Sequence, residues 1–216
     1  MLFFIAFDSL AQIDTTFVDN KYRDDQLYIG LNYNLLLNQP DNYDQYGISG
    51  GITLGYIRDI PLNKRRNLGL GLGLGYSYNA YSHNLKITDS SIEVVSSDSF
   101  DNNRLKLNTL DIPLEIRWRT STAKKYSFWR IYSGVKFSYL FANSSKFEST
   151  TEFHKVTNID QLNTWTTGVY LSAGYSTFNL NIFYGLTPLF SDSYRLNNGS
   201  EIGLNQLHIG MIFYML

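Results

Sequence analysis

The chain has 216 residues, no cysteine, a net charge of -1 and 17% charged residues, beside 17 Tyr, 14 Phe and 3 Trp. Average soluble domains carry about 25% charge, so this chain is short of charge and rich in aromatics, although its mean hydropathy is -0.20. These values exclude a disulfide scaffold or cysteine zinc site, a basic nucleic-acid footprint and, at 44% apolar residues, intrinsic disorder. No run approaches the roughly 20 apolar residues of a membrane-spanning helix. An all-β domain of this length stays open, in water or in a membrane.

Residues Met1–Gln12 read MLFFIAFDSLAQ, an apolar run followed by the small-x-small triplet Ser9-Leu10-Ala11. This is the pattern of the end of a secretory signal peptide. Asp8 and the absence of a basic start fit a remnant whose first part lies upstream. Residues 13–26 are polar and aperiodic, and read as a short periplasmic leader before a barrel over 27–216.

From there the chain alternates with period two. Leu27–Leu37 sets Leu27, Ile29, Leu31, Tyr33 and Leu35 against Gly30, Asn32 and Asn34. Ile48–Ile60 follows, and then Asn67–Tyr81, where Leu68, Leu70, Leu72, Leu74, Tyr76 and Tyr78 oppose Gly69, Gly71, Gly73, Gly75, Ser77 and Asn79. Successive strand side chains face opposite ways, so one face is apolar and the other nearly bare. A helix would scatter these leucines around its surface. The same alternation recurs in Leu107–Arg119, Ser127–Phe141, Thr164–Ser176, Phe178–Phe190 and Gln206–Leu216. Each segment reaches the roughly 9–11 residues that a tilted strand needs to cross a bilayer, against about 5–6 in ordinary globular strands.

The connections alternate as well. Asn38–Gly47, Ser82–Lys106, Ala142–Asn163 and Ser191–Asn205 are long; Pro61–Arg66, Thr120–Tyr126 and Thr177 are short. Long external loops and short periplasmic turns are the habit of outer-membrane barrels. Aromatic residues cluster at the strand ends, as interface anchors do. Tyr33, Tyr76, Tyr78, Tyr139 and Trp165 fall near the outer rim, and Tyr56, Trp118, Trp129, Tyr175 and Phe213 near the periplasmic rim. The reading is therefore all-β: an eight-stranded antiparallel up-and-down transmembrane β-barrel in the bacterial outer membrane, apolar towards lipid and polar inside. A soluble lipocalin-like barrel would need the opposite facing.

The sequence resembles the PorT-like small outer-membrane β-barrel proteins of Bacteroidota. The resemblance spans about residues 25–216. It rests on Leu110-Asp111-Ile112-Pro113-Leu114-Glu115-Ile116-Arg117, on the glycine-alternating third strand and on Leu171–Ser176. It implies an outer-membrane location and a signal peptide. The group's namesake acts in gliding and type IX secretion, while many relatives have no assigned role.

Eight strands enclose a lumen just wide enough for side chains. The inward parity collects Asp111, Glu115, Arg117, Arg130, Lys136 and His208. Buried charges need partners, so these are expected to form a lumen network in which Glu115 and Arg117 reach Arg130 or Lys136 across the hairpin. A gated ion path is the alternative. The outer loops carry Asp89, Glu93, Asp98 and Asp101 against Lys86 and Arg104. They are expected to be solvated, with a cation or a partner as the functional alternative. The turns carry Lys64, Arg65, Arg66, Lys124 and Lys125, suited to solubility, to lipid head groups or to a periplasmic partner. For a lipid-modifying enzyme the rim offers only Ser82 and His83, whose side chains diverge on a strand. His154 lies in a loop. The expectation is a non-enzymatic structural, accessory or interaction protein without metal or cofactor, in contact with outer-membrane lipid and with periplasmic or outer-membrane proteins. Secretion or gliding is its expected process; a lipid-modifying enzyme or narrow channel is the alternative.

Overall fold

The computed structural model describes residues 25–88, 91–120, 128–191, 194–197 and 199–215. The signal remnant, residues 13–24 of the leader, Asp89, Lys124 and Lys125 lie outside the described residues. Eleven strands follow in chain order: β1 Gln26–Leu37, β2 Gly50–Pro61, β3 Leu68–Ser82, β4 Leu85–Ile87, β5 Ile92–Val94, β6 Asn102–Arg119, β7 Trp129–Glu148, β8 Phe153–Thr157, β9 Trp165–Tyr175, β10 Phe178–Gly185 and β11 Asn205–Met215.

Eight of them, β1, β2, β3, β6, β7, β9, β10 and β11, form a closed antiparallel barrel. Each pairs with its neighbours in chain order, and β1 closes the ring on β11 with Leu27 opposite Met215 and Leu37 opposite Asn205. Closure leaves no sheet edge for lipid to face. The apolar parity points outward: Leu31, Leu72, Leu114 and Ile182 are about half exposed. The opposite parity fills the interior.

The inner glycines of β3 leave room that neighbouring side chains occupy. A Cβ on Gly75 would overlap the Tyr28 hydroxyl, and one on Gly71 would meet Glu115 and Ile57 within 2.9 Å. Glycine there lets large lumen side chains lie against the wall. The space is filled, not open.

The outer side departs from the expectation of solvated loops. β6 begins at Asn102 rather than Leu107, and β7 runs to Glu148 rather than Phe141. β10 ends at Gly185 rather than Phe190. The long connections contain a small hairpin, β4–β5, and β8, which extends the β7 edge. They close around an apolar core that includes Leu36, Tyr43, Tyr81, Leu85, Ile92, Leu105, Leu107, Leu189, Phe190 and Leu204. The physical reason is that inward positions beyond the lipid band are apolar, so strands and loops continue until those side chains are covered. A register shift at Asn108/Thr109 lets β7 bend into this cap.

Candidate functional site: lumen network and outer cap

The lumen network is built from alternate residues of neighbouring strands. β2 supplies Asp59, and β6 supplies Asp111, Glu115, Arg117 and Arg119; all five are buried. Arg119 grips Asp59 through two hydrogen bonds, Nη1 to Oδ1 at 2.9 Å and Nη2 to Oδ2 at 2.7 Å. Its Nε donates to the Arg66 carbonyl at 2.9 Å. Arg117 reaches the same carboxylate at 3.2 Å, lies 3.1 Å from Glu115 Oε1, and donates to Gln26 Oε1. The Tyr170 hydroxyl donates to Glu115 Oε2 at 2.5 Å. The Arg117 guanidinium stacks over the Tyr132 ring at 4.4 Å. Two-pronged arginine–carboxylate contacts with extra donors are the arrangement that makes buried charge tolerable.

Nearer the outer side, Lys136 lies 3.4 Å from Asp111 and 4.1 Å from the centre of the Phe183 ring. Asp111 also accepts from Ser77 at 2.5 Å and from Thr109 at 2.9 Å. His208 meets the Tyr81 hydroxyl at 2.7 Å through Nε2 and packs on Phe183. A cavity of about 50 Å³ lies between these groups, lined by Tyr28, Glu115, Lys136, Tyr170 and Tyr214. It has room for about one or two waters.

The pairing differs from the cross-hairpin pairs expected from the sequence. Neither Glu115 nor Arg117 pairs with Arg130 or Lys136, because the β6–β7 register sets Glu115 opposite Gly134, Lys136 opposite Pro113 and Arg130 opposite Arg119. Arg130 instead stacks over Phe128 at 4.5 Å. Asp59 and Arg119 are the members that the sequence reading passed over. The signal was present. Counting from Tyr56 and Trp118 on the lipid side puts Asp59 and Arg119 on the inward parity.

The rim aromatics sit as follows. Tyr33 and Trp165 are well exposed on the barrel's outer surface, with Tyr139 4.9 Å from Trp165 between ring centres. Tyr76 and Tyr78 are half-buried, and the Tyr76 hydroxyl donates to Asn108 Oδ1 at 2.7 Å. At the other end Trp129 contacts Tyr175 at 5.5 Å and Phe213 contacts Phe178 at 5.2 Å. Trp118 is exposed there, and the Tyr56 hydroxyl donates to Asp25 at 3.0 Å.

The cap is organised as a small folded body. Asn84 holds the first and second outer connections together. Its Oδ1 accepts the Asp44 N–H at 2.8 Å, and its Nδ2 donates to the Asn42 and Val95 carbonyls at 2.8 and 3.1 Å. Lys86 bridges Glu152 at 2.5 Å and Glu93 at 3.9 Å. His83 is buried, and its Nδ1 accepts the Leu85 N–H at 3.1 Å. Burial holds its pKa down, from 6.5 to about 4. His83 thus has no hydrogen bond to Ser82, whose N–H donates to Ser49 Oγ at 2.9 Å. His154 is exposed, 3.7 Å from Glu152. A cavity of about 570 Å³ opens between three outer connections, with Asp41, Asp44, Glu93, Asn84 and Asn197 around it and Leu196 among its apolar walls. Among the described residues no group of three His, Asp or Glu side chains is placed to hold a metal ion.

A closed barrel with lipid-facing leucines, interfacial aromatics and charge-filled lumen defines an outer-membrane protein. The profile of the outer membrane protein beta-barrel domain matches residues 10–191, and the chain belongs to that family. It is located in the outer membrane. Among solved structures, it is similar to Ail, the attachment invasion locus protein of Yersinia pestis, crystallised with the heparin analogue sucrose octasulfate. Identity is 12%, the match covers 89% of this chain and 99% of that one, and the TM-score is 0.38. No curated protein matches the chain.

Proposed function

We propose that this protein is a non-enzymatic interaction protein, a sealed barrel that displays a folded recognition cap on the outer face of the membrane. The observation that carries this reading is the cap itself. Its connections are ordered around a core of their own and enclose an open, polar cavity of about 570 Å³. Barrel closure alone needs no such body, since short turns suffice at the opposite end. The filled lumen speaks against conduction, because the Asp59, Glu115, Arg117 and Arg119 layer and the cap lie in series along it. The carboxylates of Asp41, Asp44 and Glu93 suit a cationic or hydroxyl-rich partner surface.

The resemblance to PorT-like barrels directs the search for the partner to type IX secretion and gliding components. The test is cross-linking on intact cells followed by purification, for wild type and for the triple variant Asp41→Asn, Asp44→Asn, Glu93→Gln. A partner captured by wild type and lost in a triple variant with unchanged heat-modifiability supports the reading. Single-channel currents through the purified wild type, or an unchanged partner profile in the variant, count against it.

A further inference from the structure

The periplasmic end of the lumen holds three arginines on adjacent strands, and they are not equivalent. Arg117 and Arg119 share Asp59, and Arg117 also faces Glu115. Arg130 is 2% exposed, and its buried Nε and Nη1 have no hydrogen-bond partner among the described residues. Its surroundings are aromatic: the Phe128 ring at 4.5 Å and the Tyr214 ring at 5.8 Å. Ring faces attract a guanidinium, but they do not neutralise it or accept hydrogen bonds at its edge. Among the described residues Asp59 and Glu115 are held by Arg117 and Arg119 and no carboxylate pairs with Arg130, whose Nε and Nη1 lack hydrogen bonds. Arginine cannot escape by losing its proton, and a buried unpaired charge is costly. The position is also the first inward one of β7 after the periplasmic turn. Lys64 and Arg65 lie exposed in the 62–67 turn at the same end, and they raise the local concentration of anions.

We propose that Arg130 anchors an oxyanion site at the periplasmic mouth of the barrel, which takes a phosphate or carboxylate group. Guanidinium N–H groups match such oxygens in geometry and charge. The Phe128 and Tyr214 rings confine the ligand to the edge of the guanidinium. This site lies at the opposite end from the cap and stands independently of the cap's role.

The experiment uses the full chain folded in phosphatidylcholine nanodiscs in a zwitterionic buffer. The Arg130 Nε–H resonance is followed while inorganic phosphate or acetate is added, and separately in nanodiscs containing phosphatidylglycerol without added anion. A saturable shift with phosphate or acetate supports a site for a free anion. A shift only with phosphatidylglycerol supports the same site filled by a lipid phosphate. No saturable shift in any arm overturns the proposal. In the same buffer Arg130→Gln is expected to unfold at a urea concentration equal to or above wild type, and phosphate is expected to raise the midpoint of wild type alone. Equal phosphate stabilisation of both proteins overturns the site. If Arg130→Gln does not fold, Arg130→Lys serves: it is expected to bind phosphate several-fold more weakly, and unchanged affinity overturns the assignment.

Discussion

The membrane band and the outer cap are made from the same strands, yet they bury opposite residue types. On β6 the lipid-band positions Leu110, Ile112, Leu114 and Ile116 face outward and are exposed, while Asp111, Glu115 and Arg117 are buried. A few residues further out on the same strand, Leu105 and Leu107 are buried on that inward parity, and Arg104 and Lys106 lie on the outward one. β1 does the same, passing from Asn32 and Asn34 inside the barrel to buried Leu36 at the rim. The backbone keeps its alternation throughout; what changes is the solvent outside. In lipid the outward face must be apolar. In water the apolar face must turn inward. The site where the two patterns exchange marks the edge of the hydrocarbon.

The two regions should therefore fail differently. The largest effect is expected at the charge layer: Asp59→Ala strips Arg117 and Arg119 of their shared carboxylate and should cost about 3–5 kcal/mol, read from urea-dependent folding into vesicles. A cost below that of an ordinary surface substitution would mean the layer is not a true interior. In the cap, Leu105→Ala should cost about 2–5 kcal/mol through the cavity it leaves. Hydrogen exchange should place that loss in the cap amides while heat-modifiability of the barrel persists; loss of both together would make cap and band one unit. On the lipid side, Leu72→Arg near the middle of β3 should cost about 2–4 kcal/mol, and an unperturbed folding midpoint would contradict its exposure to lipid.

A further effect is graded with pH and confined to the cap. His83 is held neutral, its pKa lowered from 6.5 to about 4 by burial. The unfolded cap therefore binds the proton more readily than the folded one. Its stability is full above about pH 6.5 and declines as pH falls towards 4, by up to about 3 kcal/mol. Limited proteolysis of the cap should rise over that window in wild type and stay flat in His83→Gln, at a rate that no lipid-band position shares.

The barrel was legible because its signal is long and repeated. Eight segments of strict alternation, with long and short connections in turn, admit few other folds. Leu27, Leu72 and Ile182, read as outward, are exposed in the structure, while Phe190, read as outward at the rim, is buried in the cap core. The cap was less legible. Its strands continue the same alternation with apolar residues on the other parity, so Leu105 reads as the end of a loop and Leu107 as the first residue of a membrane strand rather than as the floor of a core. Its remaining core side chains, such as Tyr43, Ile92, Leu162 and Leu204, are scattered over four connections, and no local period links them. The pairings inside the lumen were legible as a set and not as partners. Parity names which charges point inward. It does not say that Arg130 stands opposite Arg119 or that Asp59 lies between Arg117 and Arg119, since that depends on register and on which strands close the ring.

The amino-acid sequence by itself determined the inversion of the barrel: period-two alternation, a property of single strands, is enough to assign one face to lipid and the other to the lumen. Only the tertiary structure decided how the charges divide among themselves and how the outer connections fold together. Those outcomes depend on contacts between residues far apart in the chain, whose geometry is set by strand register and barrel closure rather than by any local pattern.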